Sequence, residues 1–519
     1  MKEHESLVVA AATWNIAAIN NNPFEYWVTY HDEEYKSFMQ KVEVFISADG
    51  DKTLVKEIFT ESMFLDLVAE MRTHSIIDGN VEILNKFWYE DFSQRKAIQQ
   101  FLKDKSIGEK RLTSMPDRIT NTISLMGGSK VRRPSVINAY RDSSLSSVAV
   151  WWDVWRNFMF RTPVQIFSSD HVPPPPKFVC ELIGPINRNK YPAITELEQF
   201  VSVPLQILCL AILDAIFLHI VSSVAPDSWE RIRRTLSQAL VHGKDDRICS
   251  ILANCYLNQD VIFIQEASAN FVCKLRDHRV LRERFELLLP DKFDAKRDQN
   301  SLILVSRERF SVAPAGAPHD VTARVLENIA GKFLEPGDLF AVSVADLDGR
   351  PWLLVSFHGD SNGLSTHPVF TALHQAYQAH FAGHLLLAGI DSNTNHSQDR
   401  FHQGVEAFLS MLRSQGMLSA WDSVVSQELV TTACSVRTSL QTQLNKAVSF
   451  HRRYSDANVA LKDWLVAYHS QVATFTSVVR DNTGELRNEE GQILPTLTFP
   501  SDHALVSAVA KFHPASQLR

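Results

Sequence analysis

A chain of 519 residues has room for two to four ordinary domains, or for one large core that carries an insertion. Its 45% hydrophobic and 21% charged residues make an ordinary globular composition. A formal net charge of −7 argues against a protein that coats nucleic acid through bulk positive charge, though not against a local basic groove.

The start, Met1-Lys2-Glu3-His4-Glu5, lacks a basic segment followed by a long apolar one, so no signal peptide is expected. Leu7 to Ile16 reads as a strand that delivers Asn15 near its end. Beyond it, Thr53–Met71 and Val81–Leu102 have apolar spacing nearer to 3.6 than to 2 and read as helices. The aromatic residues here, such as Phe59, Phe64, Trp88, Trp151, Trp152 and Trp155, read as core.

Between 101 and 142 the balance turns basic. Lys103, Lys105, Lys110, Arg111, Arg118, Lys130, Arg132, Arg133 and Arg141 stand against Asp104, Glu109, Asp117 and Asp142. Lys130, Arg132 and Arg133 are candidates to contact substrate phosphates, the alternative being a solvated loop. Gly127-Gly128-Ser129-Lys130 resembles a phosphate-cradling loop without the Walker pattern. Pro173 to Pro176, after His171-Val172, read as a stiff connector. Leu205 to Val224 is long enough for a membrane span. Asp214 at its centre costs about 2.5–3.5 kcal/mol on insertion scales, so a buried core helix is expected and no membrane span.

Trp229 to Leu257 reads as helix, broken near His242-Gly243-Lys244. Asp260 to Glu266 is a strand ending in Gln265 and a carboxylate, and Ser301 to Ser306 is another strand. Asp338–Ala345 and Pro351–Phe357 flank Asp348-Gly349, a hairpin signal, and the second of them runs into His358. His367 to Ala382 reads as helix, then His384 to Asn393 as an apolar strand emptying into a loop. Asp391 and Asn393, two apart, share a face there, so a carboxylate and an amide arrive together and can orient and deprotonate a water. Phe401–Gln415 is a helix, Leu461–Val466 a strand containing Asp463, and Phe499-Pro500-Ser501-Asp502-His503 precedes a last strand. None of Cys180, Cys209, Cys249, Cys255, Cys273 and Cys434 forms a Cys-x-x-Cys pair, so reduced thiols in a cytoplasmic or nuclear protein are expected.

In this order, Asn15, Gln265-Glu266, His358, Asp391-x-Asn393 and Ser501-Asp502-His503 resemble the exonuclease–endonuclease–phosphatase superfamily of metal-dependent phosphoesterases. The ending looks closest to its deadenylase-like branch. The resemblance implies a four-layer α/β/β/α sandwich, an α/β fold, formed by residues 1–20 and 236–519. Residues 21–235 are then a large, mainly helical insertion after the first strand. It also implies Mg²⁺, with Mn²⁺ as the alternative, held by Glu266, Asn15 and Asp502. Asp391 is the implied base, Asn393 contacts a phosphate oxygen, and His503 bonds the phosphoryl group with Asp463 fixing its tautomer. His358 steadies the developing charge or the leaving oxygen. One departure is Ala17, where many members carry a carboxylate.

The expected function is a Mg²⁺-dependent phosphodiesterase acting on nucleic acid, RNA before DNA. The alternatives are a phosphomonoesterase or lipid phosphodiesterase of inositol phosphate or sphingomyelin type, or a non-catalytic scaffold whose insertion binds a protein partner.

Overall fold

A computed structural model describes residues 7–48, 51–77, 79–126, 129–166, 175–311, 317–327, 329, 334–422, 429–434 and 436–514. The chain divides into two compact units. The first is Met1–Ile19, Gly243–Ser435 and Ala457–Arg519; the second is Asn20–His242 and Val436–Asp456.

The first unit is built on two six-stranded sheets. One runs, edge to edge, Val472–Asp481, Leu505–Phe512, Val8–Asn15, Val261–Ala267, Asn300–Ser306 and Phe285–Leu288. The other runs Met417–Ser419, Asp463–Tyr468, Leu385–Asp391, Pro351–His358, Leu339–Ala345 and His319–Asp320. Because side chains alternate along a strand, each central strand feeds two apolar layers. Val9, Ala11, Val261 and Phe263 of the first sheet pack between the sheets with Leu354, Leu387 and Leu465 of the second. Ala12, Trp14, Ile262 and Ile264 face outward onto Ile248, Leu252, Phe271 and Leu275 of two helices, Lys244–Cys255 and Ala269–Asp277. On the far side, Leu386, Ala388 and Ile390 meet Val369, Phe370, Phe408 and Leu412 of Thr366–Ala376 and Val405–Ser414. Helix, sheet, sheet, helix: the unit is a four-layer α/β/β/α sandwich.

Eight of the twelve strands in these two sheets fall where the sequence predicts strands. Leu339–Ala345 and Pro351–His358 form the hairpin, with Gly349 at φ 81° in its turn. The edge strand Val472–Asp481 has no counterpart among the strands expected from sequence. It is half exposed and bulged, so it shows no clean alternation.

The second unit is mainly helical. Ser202–Val224 is its central element, and apart from Val203, His219, Ser222, Ser223 and Val224 every residue in it is buried. Among the described residues it alone is a helix long and apolar enough to cross a membrane, and 78% of its most apolar window is buried within the fold. Asp214 at its centre is fully buried and satisfied. It accepts from Arg133 Nε at 2.8 Å, Ser135 Oγ at 2.7 Å and Trp155 Nε1 at 2.9 Å. Two boundaries differ from those expected. The unit extends to His242, and it takes in Val436–Asp456, where Arg437 pairs with Glu25 and Trp27 Nε1 donates to Val448 O. Gly127, Gly128 and 171–174 of the proline run lie outside the described residues.

Candidate active site

The sheet ends of the first unit gather most of the sequence candidates. In the first sheet Asn15 pairs in register with Gln265, which places Glu266 one residue further along. The neighbouring pairing slips between Ile264 and Ala267, and Glu266 adopts φ 58°. Ala17 at φ 57° and Asn393 at φ 51° are left-handed too. Such backbone costs on the order of 1–3 kcal/mol per non-glycine residue and persists where the surrounding structure over-determines it. At Glu266 the compensation is clear: Oε2 accepts from Ala18 N at 2.6 Å, and Oε1 from Asn15 Nδ2 at 3.0 Å.

The second sheet sets three candidates in one row. His358 pairs with Asp391 across the parallel ladder, and Asp391 with Asp463 across the antiparallel one. The two sheets are then joined at this end. Asn15 Nδ2 donates to Asp391 Oδ2 at 2.8 Å, and Gln265 Nε2 donates to both Ser356 Oγ and Gly389 O at 3.0 Å. His358 Nε2 lies 3.3 Å from Glu266 Oε1 and 3.8 Å from Asp391 Oδ2. Among the described residues its buried Nδ1 has no hydrogen-bond partner, and it lies 4.0 Å from Asp338 Oδ1.

His503 enters from the segment before the Leu505 strand. Ser501 anchors that segment, donating to Asn15 O at 2.6 Å while accepting from His503 N at 3.0 Å. His503 Nδ1 is 2.9 Å from Asp463 Oδ2, and Nε2 is 3.7 Å from Asp391 Oδ2. An imidazole between two buried carboxylates is held in its charged form. Burial lowers its pKa, but Asp463 and Asp391 outweigh this and raise it to about 10. Burial also works against the Asp391 carboxylate. There His503, His358 and Lys462 prevail and hold it below the usual carboxylate range. At Asp463 burial wins, and its carboxyl sits above that range despite His503.

Other candidates are placed differently from expectation. Asn393 accepts from Lys462 Nζ at 3.0 Å and donates to Gly359 O at 2.9 Å, while its N–H reaches Asp391 Oδ1 at 2.9 Å. Its amide braces the site from within, which leaves its oxygen committed to Lys462 rather than turned to a phosphate. Arg133 is no substrate contact: it is fully buried in the second unit on Asp214, Asp117 and Thr120. Lys130 and Arg132 lie half-exposed on the small Thr122–Ser124 and Lys130–Arg132 hairpin of the same unit. Asp502 is half-buried beside His503.

Sequence reasoning missed Lys462, Gln265 as the tie between sheets, and Lys244. Lys244 is 4% exposed, and the Asp502 and Glu266 carboxylates act on its ammonium. The only signals were a lysine beside Asp463 and one at a helix start.

The oxygen donors suit a hard divalent cation. Glu266 and Asp391 converge on one Asn15 amide, a partly positive group set between two carboxylates. It is the Asn15 nitrogen that faces them, its oxygen accepting from Ala17 N at 2.8 Å, so Asn15 serves as a ligand only with its amide turned over. Asp391, Asp463 and His503 also offer atoms within 4.8 Å of one another. His503, held protonated between Asp463 and Asp391, makes this trio able to move protons.

A family model described as a domain of unknown function, DUF8234, matches residues 52–234, within the second unit. No curated protein matches the chain. Among solved structures similar to it is D. rerio TDP2 complexed with single strand DNA product. That structure is 11% identical, with 51% of this chain and 91% of that one covered at a TM-score of 0.33. The human Nocturnin catalytic domain with bound sulfate is 12% identical over 54% and 89%, with a TM-score of 0.34. An endonuclease/exonuclease/phosphatase family protein from Bacteroides thetaiotaomicron is 12% identical over 52% and 90%, with a TM-score of 0.33. In its own geometry the first unit is a four-layer sandwich whose two facing sheets bring Asn15, Glu266, His358, Asp391 and His503 together at one end.

Proposed function

We propose that the first unit is a phosphoester hydrolase dependent on Mg²⁺ or Mn²⁺, and that its substrate is a nucleic-acid phosphodiester, RNA before DNA. The observation that carries the reading is the pairing of an ionised, fully buried Asp391 with a protonated His503 whose other nitrogen rests on Asp463. Hydrolysis of a phosphodiester needs a base for water and a donor for the phosphoryl oxygens. Asp391 is the base: held below the usual carboxylate range, it stays ionised and can orient water and accept its proton. His503 is the donor: its Nε2–H bonds a non-bridging oxygen while Asp463 fixes the ring. His358, its Nε2 turned to Glu266, bonds the leaving oxygen. Glu266, Asp502 and the turned Asn15 amide would hold the metal, which when bound supplies neutralisation of phosphoryl charge. The Phe499-Pro500-Ser501-Asp502-His503 ending supports the RNA preference by its resemblance to the deadenylase-like branch.

The test is a hydrolysis screen of the purified chain with Mg²⁺, Mn²⁺ or EDTA. It covers labelled RNA, labelled DNA, inositol phosphates and sphingomyelin. Metal-dependent cleavage of RNA, abolished by EDTA, is expected. Cleavage of an inositol phosphate or sphingomyelin alone would move the chain to the other branches, and no cleavage of any substrate would refute the reading.

A further inference from the structure

Lys244 sits where stability alone would not place it. It is the first residue of the Lys244–Cys255 helix, after Gly243 at the N-cap. A helix N-terminus carries partial positive charge, so a cation there is unfavourable, and Asp245 and Asp246 in the same turn follow the usual preference. The side chain is also 4% exposed. Buried ammonium groups are normally paired. Lys244 Nζ donates to Ala18 O at a long 3.5 Å, and the carboxylates that act on it are Asp502, Glu266 and Asp245.

That contact locates it in the site. Ala18 N is the donor to Glu266 Oε2, so the turn after the first strand carries the Glu266 carboxylate on its N–H and the Lys244 ammonium on its C=O. Burial lowers the affinity of Lys244 for its proton, and Asp502, Glu266 and Asp245 work the other way. Two of those three are proposed metal ligands. With Ala17 where the resemblance implied a carboxylate, the site has one anion fewer to hold a divalent cation and one buried cation beside it.

We propose that Lys244 is a phosphate-binding residue of this site, its ammonium meeting a non-bridging oxygen of the substrate and sharing with the divalent cation the neutralisation of the phosphoryl group. This rests on the phosphoester-hydrolase reading above. It follows that the ammonium strengthens anion binding and weakens metal binding.

The test is calorimetric titration of inorganic phosphate and, separately, of Mn²⁺ into the full-length wild type, K244M and K244R, beside RNA hydrolysis. K244M should bind phosphate at least tenfold more weakly and Mn²⁺ several-fold more tightly; K244R should keep phosphate affinity within threefold. If K244M melts far below the wild type, K244Q carries the comparison. A wild type that hydrolyses RNA and binds Mn²⁺, with phosphate affinity unchanged in K244M, overturns the Lys244 role and leaves the hydrolase reading standing. A wild type that binds neither ion and cleaves nothing overturns both.

Discussion

Gly389 of one sheet faces Phe263 of the other so closely that a Cβ there would stand 2.6 Å from the Phe263 Cβ and closer still to two ring carbons. The same glycine gives its carbonyl to Gln265. A glycine and a phenylalanine thus set the sheet spacing just short of Asp391, on the same strand. Gly389→Ala should destabilise the chain by about 1–3 kcal/mol, the usual range for overpacking, measured by urea denaturation. Phe263→Leu in the same background should recover part of it. A neutral Gly389→Ala would show that the sheets can part without cost.

Glu266→Gln keeps the shape of the side chain and removes the charge expected to hold the cation. Hydrolysis should fall by orders of magnitude and Mn²⁺ affinity with it, while the melting temperature moves by only a few degrees. Near wild-type turnover at saturating Mg²⁺ would remove Glu266 from the metal site.

Asp391 and His503 face each other at 3.7 Å and are assigned to one step. Residues acting as a unit lose activity non-additively. Asp391→Asn, His503→Ala and the double variant should therefore be similarly inactive in single-turnover assays. If the two losses multiply, the groups act independently and the base and donor roles are wrong.

The same imidazole makes stability depend on pH. Its pKa is raised from 6.5 to about 10 on folding, so the native state holds its proton more tightly than the unfolded chain. The stabilisation is complete below 6.5 and is lost as pH rises towards 10. The stability gap between wild type and His503→Gln should accordingly be widest in mildly acidic solution and shrink steadily up to about 10. A gap that widens with pH would contradict the sign.

In the second unit, Arg133→Met should cost about 3–5 kcal/mol, because it strands Asp214 as a buried unpaired charge. Arg133→Met with Asp214→Leu should recover much of that loss. Equal losses in both would place the cost in packing rather than charge.

These residues also show what the sequence could and could not yield. Strand ends were legible because apolar runs such as Leu385–Ile390 stop at polar residues, and the candidate site was legible as a cluster because those stops hold Asn15, Glu266, His358, Asp391 and His503. Partnership was not. Asp214 spoke against a membrane span and Arg133 looked like surface charge, yet they are one pair separated by 81 positions. Lys244 and Lys462 were overlooked for the same reason: a lone lysine reads as solvated until the fold brings carboxylates beside it. Val436–Asp456 has no long regular element, only short turns of helix, so nothing in its pattern assigned it to the helical unit.

The Val8–Asn15 strand lies between Leu505–Phe512 and Val261–Ala267, with Val8 opposite Lys511. During synthesis this strand leaves the ribosome long before the Leu505 strand that must pair with it. Contacts so distant in sequence slow folding, and an unpaired strand edge invites aggregation in the interval. Expression should therefore be sensitive to chaperones, and a stop codon at Leu505 should give insoluble protein even though every residue of the site has been made. Asn15 would then hang from a strand with one side open, so the assembly of the candidate site is timed by the arrival of its last strand.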